Sequence, residues 1–301
     1  LEQQGFRVVI PPPADEQLGY VAGTPERRAL AIMELFNDPQ IEMILSSIGG
    51  FNSNALLPCL DYESISKHPK IFIGYSDVTA LLLGIHAKTG LITFHGPALL
   101  PQWGEFPQPF DYTVAWFRQI TMEKMPPSPY RPPSEWTNQK VNWGRRPEEQ
   151  IRGRFAPADW TCVRSGHATG IILGGNLETL NAIVGTPYCP DFTGAILLIE
   201  ATAEEAELPR LDRALQHLEL AGIMDSICGI VAARCPDASP RYGVSFLDML
   251  SRYAVRHQIP AAADLDFGHT DPMLTIPLGI AAELTCRDAD VNLRLLEPAV
   301  I

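Results

Sequence analysis

The sequence predicts an α/β protein built in two parts, and three observations carry that prediction. Short apolar runs suited to buried strands alternate with stretches of helical periodicity, both early and late in the chain. The length of 301 residues exceeds a usual domain of roughly 100–200 residues. Between the two alternating regions, residues 101–158 carry ten of the 27 prolines, and all five tryptophans fall between Trp103 and Trp160.

In chain order, Leu1 to Gly5 reads as the end of a helix and Phe6 to Ile10 as a strand. Arg27 to Asn37 has apolar residues at helical spacing, and Ile41 to Ile48 then reads as a buried strand closed by Gly49 and Gly50. Ser53 to Leu60 begins a further helix. The short apolar run Lys70 to Gly74 ends at Tyr75-Ser76-Asp77, with a helix from Val78 to Thr89 directly behind it. Strands alternating with helices imply a parallel sheet covered on both faces. The proline density excludes regular secondary structure over most of the middle segment, while its tryptophans argue for order over a disordered linker. From Ala168 the rhythm returns. A strand over Gly170 to Leu173 leads through Gly174-Gly175-Asn176 into a helix, and the strand Ala195 to Ile199 delivers Glu200 at its end. Helix 208–221, strand 226–232, helix 244–257 and strand 260–264 follow, then the loop carrying His269. The divisions are an N-terminal α/β domain over 1–110, a Pro/Trp-rich connection over 111–165 and a C-terminal α/β domain over 166–301.

Charge narrows the function classes. With 23 Lys+Arg against 35 Asp+Glu the formal charge is −12, so no basic excess exists to neutralise nucleic acid or an anionic membrane. No apolar run reaches the roughly 18 residues of a membrane span, and the N-terminus has no charged-then-apolar signal pattern. The six cysteines are scattered without a CxxC pair, which reads as reduced, buried thiols in the cytoplasm and not as a zinc or disulfide framework.

The chemistry concentrates at strand ends. A serine at a sharp strand-to-helix turn is exposed beside backbone N–H groups that can stabilise an oxyanion, so Ser76 is a candidate nucleophile; a simple helix N-cap is the other reading of the same residue. Val78 stands where the second glycine of G-x-S-x-G belongs. Gly49 and Gly50, like Gly174 and Gly175, permit close backbone approach, or merely a turn; neither pair has G-x-G-x-x-G spacing, so a dinucleotide fingerprint is absent. A nucleophilic serine needs a base and an orienting carboxylate. Of the seven histidines, His86, His217 and His257 fall within helices as packing or surface residues, whereas His269 lies in a loop just after a strand. Glu200 ends an apolar strand, where α/β proteins place site residues. The residues alone take the reading as far as an α/β enzyme, with serine hydrolysis as one of its chemistries.

Ser47 to Asn54 with Leu56-Leu-Pro58, Ile73 to Leu82, Phe94-His-Gly-Pro97, Gly170 to Asn176, Ile196 to Glu200 and Gly268 to Met273 together resemble the S66 family of serine peptidases (the LD-carboxypeptidase family). The likeness is greatest to its branch of microcin C7 self-immunity proteins and spans nearly the whole chain. It implies a first sheet of Rossmann/flavodoxin type, and a further strand and helix ahead of the point corresponding to Leu1, so that this sheet would lack its first strand and helix. It implies a Ser-Glu-His triad of Ser76 as nucleophile, Glu200 as orienting carboxylate and His269 as general base, with an oxyanion hole at Gly50 and Asp77. Gly49, Asn52 and Trp160 are the implied substrate contacts, Trp160 stacking on a nucleobase, with Trp136 and Trp143 in the same aromatic segment. No metal or cofactor and a cytoplasmic homodimer complete the expectation. The implied substrate is a peptidyl- or aminoacyl-nucleotide analogue cleaved at an amide-type bond. Murein tetrapeptide is the enzymatic alternative, and ligand binding without turnover is the alternative of another class. The acidic run Glu204 to Glu207 after Glu200 would repel a phosphate and departs from the branch.

Overall fold

The computed structural model describes residues 1–12, 16–141, 151–288 and 290–300. The first part opens with helix α1 (Pro25–Asn37), whose N-cap Thr24 accepts from the Arg27 amide and which has Pro25 in its first turn. Strands β1 (Met43–Leu45), β2 (Ile71–Gly74) and β3 (Thr93–His95) lie parallel in that order, with helix α2 (Tyr62–Lys67) between β1 and β2. Helix α3 (Thr79–Thr89) connects β2 to β3 and is buried from Thr79 through Ile85. A helix apolar on every side must be covered on every side. Here the first sheet lies on one flank and the second part of the molecule on the other, so one continuous hydrophobic core spans both.

The second sheet has seven strands in the order β11-β10-β5-β6-β7-β8-β4. Strands β5 (Gly166–Asn176), β6 (Ile196–Glu200), β7 (Gly229–Ala233) and β8 (Ala261–Leu265) are parallel. Antiparallel β4 (Thr161–Arg164) flanks β8, and β10 (Ala281–Arg287) with β11 (Asp290–Leu295) flanks β5. Helices α5 (Leu177–Ile183), α6 (Leu208–Leu220), α7 (Ile223–Ser226) and α8 (Phe246–Arg256) make the crossovers. Two α/β parts with mixed sheets are therefore joined. Strand β9 (Ile276–Leu278) lies in sequence among the C-terminal elements, yet it pairs antiparallel with β3 and completes the first sheet as its fourth strand.

Several local expectations change. Phe6 to Ile10 forms no strand, because no neighbour among the described residues supplies a ladder. The run expected over Ile41 to Ile48 pairs only at Met43–Leu45; beyond it, the carbonyls of Ser46 and Ser47 accept from Leu99 and Leu100 instead. Ser53–Cys59 is a 3₁₀ segment, not an α-helix, with Pro58 inside it. In the middle segment the longest proline-free window, between Pro109 and Pro126, forms helix α4 (Asp111–Met122). Trp103 and Trp116 are core residues there, packed against Phe117 and Tyr130 with ring centroids 4.9 and 4.7 Å apart. All six cysteines are free, but only Cys286 is buried and Cys59 is exposed. Among the described residues no helix is long and apolar enough to cross a membrane.

Candidate active site

The carboxyl ends of the parallel strands of both sheets face one cleft of about 830 Å³, the usual address for a ligand in open α/β sheets. Strand β2 ends at Gly74, and Ser76 follows with φ +62°. A non-glycine residue in left-handed conformation is strained; the turn holds it there because the chain must swing at once into α3. Ser76 thereby stands half-buried on the cleft wall. Gly49, after β1, lies against it: a Cβ on Gly49 would stand 2.9 Å from both Cβ and Oγ of Ser76. Only glycine fits.

His269, in the loop after β8, brings Nε2 to 3.2 Å from Ser76 Oγ and Nδ1 to 2.6 Å from Glu200 Oε2. Glu200 is the last residue of β6 and is buried. Burial works against a charged His269, but the charge and hydrogen bond of Glu200, with Glu205 and Asp271 nearby, outweigh it and raise the imidazole above its ordinary pKa. Burial likewise opposes the Glu200 carboxylate, and His269 and His95 overcome this to hold it below the usual range. The pair therefore has the electrostatics of a proton-accepting imidazole backed by a carboxylate.

Asp77 contributes more than its backbone. Its Oδ2 accepts from the amides of Asn52 and Ser53 at 3.0 and 2.9 Å and from Ser53 Oγ at 2.7 Å, so it ties the loop after Gly50 to the serine turn. This role follows from a contact across 24 residues, and no local pattern signals it. Gly49 and Gly50 line the cleft. Asn52, expected to contact substrate, does not line it: its side-chain oxygen accepts from Arg28 Nη1 at 2.8 Å and its amide serves Asp77. Trp160 is also corrected. It is buried in the core at the start of β4, with Nε1 donating to Asp266 Oδ2 at 2.9 Å, so no face is free to stack on a base. Trp136 packs on Phe155 and under the Arg234 guanidinium, and Trp143 lies outside the described residues.

Sequence reasoning missed the opposite wall. Arg152, from the Pro/Trp-rich segment, is buried and donates to Asp271 Oδ2 at 2.8 Å and Glu105 Oε2 at 2.5 Å. Gln102 joins the same group, reaching Asp271 Oδ1 at 3.1 Å and the Tyr75 hydroxyl at 3.3 Å. Lys140 lines the cleft and pairs with Glu204 at 2.8 Å, an interaction that pulls the Glu204 carboxyl down to about 2. Glu205 accepts from Asn176 Nδ2 at 2.7 Å and from the Thr202 amide at 2.8 Å. Glu204 and Glu205 of the acidic run do line the cleft, with a cation set against the first. Among the described residues no cluster of three or more His, Cys, Asp or Glu side chains is arranged to hold a metal ion.

This is a serine-hydrolase type of site at the meeting of two α/β parts, and the chain belongs to the S66 peptidase family. Residues 1–96 match the family's LD-carboxypeptidase N-terminal domain and residues 169–284 its C-terminal domain. A putative carboxypeptidase of Vibrio cholerae is 38% identical over 283 residues, spanning 93% of this chain and 83% of that protein. The microcin C7 self-immunity protein MccF of Escherichia coli is 36% identical, over 97% of this chain and 85% of that one. Solved MccF in complex with glutamyl sulfamoyl guanosine superposes with a TM-score of 0.89 at 34% identity, covering all of this chain (100%) and 89% of MccF.

One expectation about the enzyme is overturned. An active-site mutant of MccF, itself at TM-score 0.89 and 35% identity, has a serine, an asparagine and a lysine replaced by alanine. The set marked there is Ser-Asn-Lys in type, not the Ser-Glu-His triad expected from the sequence, and that description of the enzyme is withdrawn. The cleft of this chain offers Ser76, Lys140 and the asparagines Asn54 and Asn138 among its lining residues, with Asn176 directly behind Glu205.

Proposed function

We propose that this protein hydrolyses an amide-type bond in an aminoacyl- or peptidyl-nucleotide-like ligand, with Ser76 as the attacking residue. The observation that carries the reading is the strained Ser76 at the cleft wall, its Oγ 3.2 Å from His269 Nε2. In the reaction, Ser76 Oγ adds to the acyl carbon as its proton passes to His269 Nε2, 3.2 Å away. The oxyanion that forms meets backbone N–H groups of Gly50 and Asp77, which the Asp77 carboxylate keeps in register through the loop it binds. Collapse expels the nitrogen of the leaving group with the proton from His269, and water then releases the acyl group from Ser76.

The substrate class rests on family and cleft size. MccF binds glutamyl sulfamoyl guanosine, and about 830 Å³ lies within the roughly 300–1,000 Å³ typical of small-ligand sites. The same reading takes the parallel β1-β2-β3 order as Rossmann/flavodoxin-like and the working form as a cytoplasmic homodimer. Purified protein incubated with an aminoacyl sulfamoyl adenosine and, separately, with murein tetrapeptide, with products resolved by mass spectrometry, tests it. Turnover of the nucleotide analogue that disappears in Ser76→Ala is the expected result. Cleavage of the tetrapeptide alone would move the protein to peptidoglycan recycling, and tight binding without product in both forms would make it a binding protein.

A further inference from the structure

His95 ends β3 and is fully buried, yet it lies outside the acyl-transfer chemistry described above. Its backbone pairs with Gly74, two residues before Ser76, on one side and with Ile276 on the other. Its Nε2 stands 2.7 Å from the Phe267 carbonyl oxygen, two residues before His269. A carbonyl only accepts, so Nε2 carries the hydrogen and donates. The ring lies edge-on to Phe267, with centroids 5.6 Å apart, and edge-on to Tyr75 at 6.1 Å. The Tyr75 ring in turn lies 5.0 Å from the His269 ring. One imidazole thus touches the chain leading into His269 by a hydrogen bond, and reaches the His269 ring by way of Tyr75.

The surroundings leave that segment little other freedom. Phe267 is fully buried, and a Cβ on Gly268 would stand 2.8 Å from Ala233 Cβ and 3.3 Å from Glu200 Cβ. Gly175 makes room chiefly for Thr79 and also for the imidazole: a Cβ there would stand 2.6 Å from Thr79 Oγ1 and 3.3 Å from His95 Nδ1. Burial also depresses the His95 pKa, against the pull of Glu200, so the ring is a neutral donor and adds no second charge beside His269.

We propose that His95 is a positioning residue of the hydrolytic site. Its Nε2–H bond to the Phe267 carbonyl, with Tyr75 packed between the two imidazoles, sets the depth at which His269 Nε2 meets Ser76 Oγ. This rests on Ser76 being the nucleophile, so the test reads serine activation directly, without any choice of substrate. The intact protein is titrated with a fluorophosphonate, and the rate of covalent labelling at Ser76 is followed against pH for wild type, His95→Gln and His95→Asn. Glutamine places an amide N–H near the position of Nε2, whereas asparagine is too short to reach Phe267. Both are polar and similar in their cost to burial, and a thermal melt verifies that each is folded. A misplacement of about 1 Å costs on the order of 100-fold in rate, so labelling of His95→Asn should slow by about 10–100-fold, with a displaced pH midpoint, and that of His95→Gln by no more than about threefold. Equal rates and pH midpoints in all three proteins, or equal losses in both variants, would overturn the assignment. A wild-type protein that is not labelled at all would overturn the nucleophile reading and this proposal with it.

Discussion

At the scale of single residues, the site is a set of groups whose ordinary preferences have been overridden. Ser76 sits at φ +62°, a conformation that costs on the order of 1–3 kcal/mol, and the loop carrying Gly49 closes over it with no room for a side chain. In the proposed reaction His269 is the group whose state follows pH. It accepts a proton only when neutral, and Glu200 raises its pKa in spite of burial. Activity should therefore fall as pH drops through a value above the free imidazole pKa of about 6.5. Glu200→Gln removes the largest favourable influence and leaves burial in command, so the acid limb should move to lower pH while the maximal rate drops. Initial rates between pH 5 and 9 for both proteins check this; an acid limb that does not move on substitution would show that Glu200 does not govern the imidazole.

At the scale of elements, helix α3 decides how the two parts share a core. Leu82, Leu83 and Ile85 are fully buried, each side chain worth about 1.5–3 kcal/mol when taken out of water. The helix also carries Thr79, whose Oγ1 accepts from the Asn176 amide at the end of β5. Leu83→Ala should cost about 2–5 kcal/mol, measured by urea unfolding, in one transition that both parts share. Two separated transitions would mean that α3 does not couple them. The same elements show what the sequence could tell. Helices with a strong apolar face, such as α6 and α8, and the buried strands β6 and β7 were legible because their pattern is local. The apolar run around β1 is longer than the strand itself, and Phe6 to Ile10 has a strand-like pattern but forms no strand, because pairing depends on a partner that no local pattern specifies. The site divides in the same way. Ser76, Glu200 and His269 are conspicuous by their positions at turns and strand ends, yet the triad read into them departs from the Ser-Asn-Lys set replaced in MccF, while His95, the Asp77 carboxylate, Lys140 and Arg152 act through contacts made only by folding. Trp160 and Asn52 depart from expectation for the converse reason: their chemistry suits a ligand, but Asp266 and Arg28 already occupy it.

At the scale of the whole molecule, the surplus of acid that gives a charge of −12 is managed locally around the cleft by cations from the middle segment. Lys140 meets Glu204 at the surface, where an exposed pair contributes little. Arg152 differs because it is buried, as are both of its carboxylate partners, one of them two residues beyond His269. It joins Glu105, ahead of α4, to Asp271 in the loop after β8, and also donates to the Gln139 carbonyl at 3.1 Å, so one side chain fastens the proline-rich segment across the cleft. Arg152→Met keeps the bulk but leaves two carboxylates buried without their cation. Breaking such a group from one side costs about 3–5 kcal/mol, and the loss should show as a lower urea midpoint together with faster proteolysis within residues 126–141. Because the cost lies in the stranded charges and not in the missing contact, Arg152→Met combined with Glu105→Gln and Asp271→Asn should recover most of the stability. It should not recover activity to the same degree, since the segment that walls the cleft would still lack its anchor. Recovery of both together would assign Arg152 to stability alone, and recovery of neither would show that the packing of the guanidinium on Phe110, with its carbon 5.7 Å from the ring centroid, matters more than its charge.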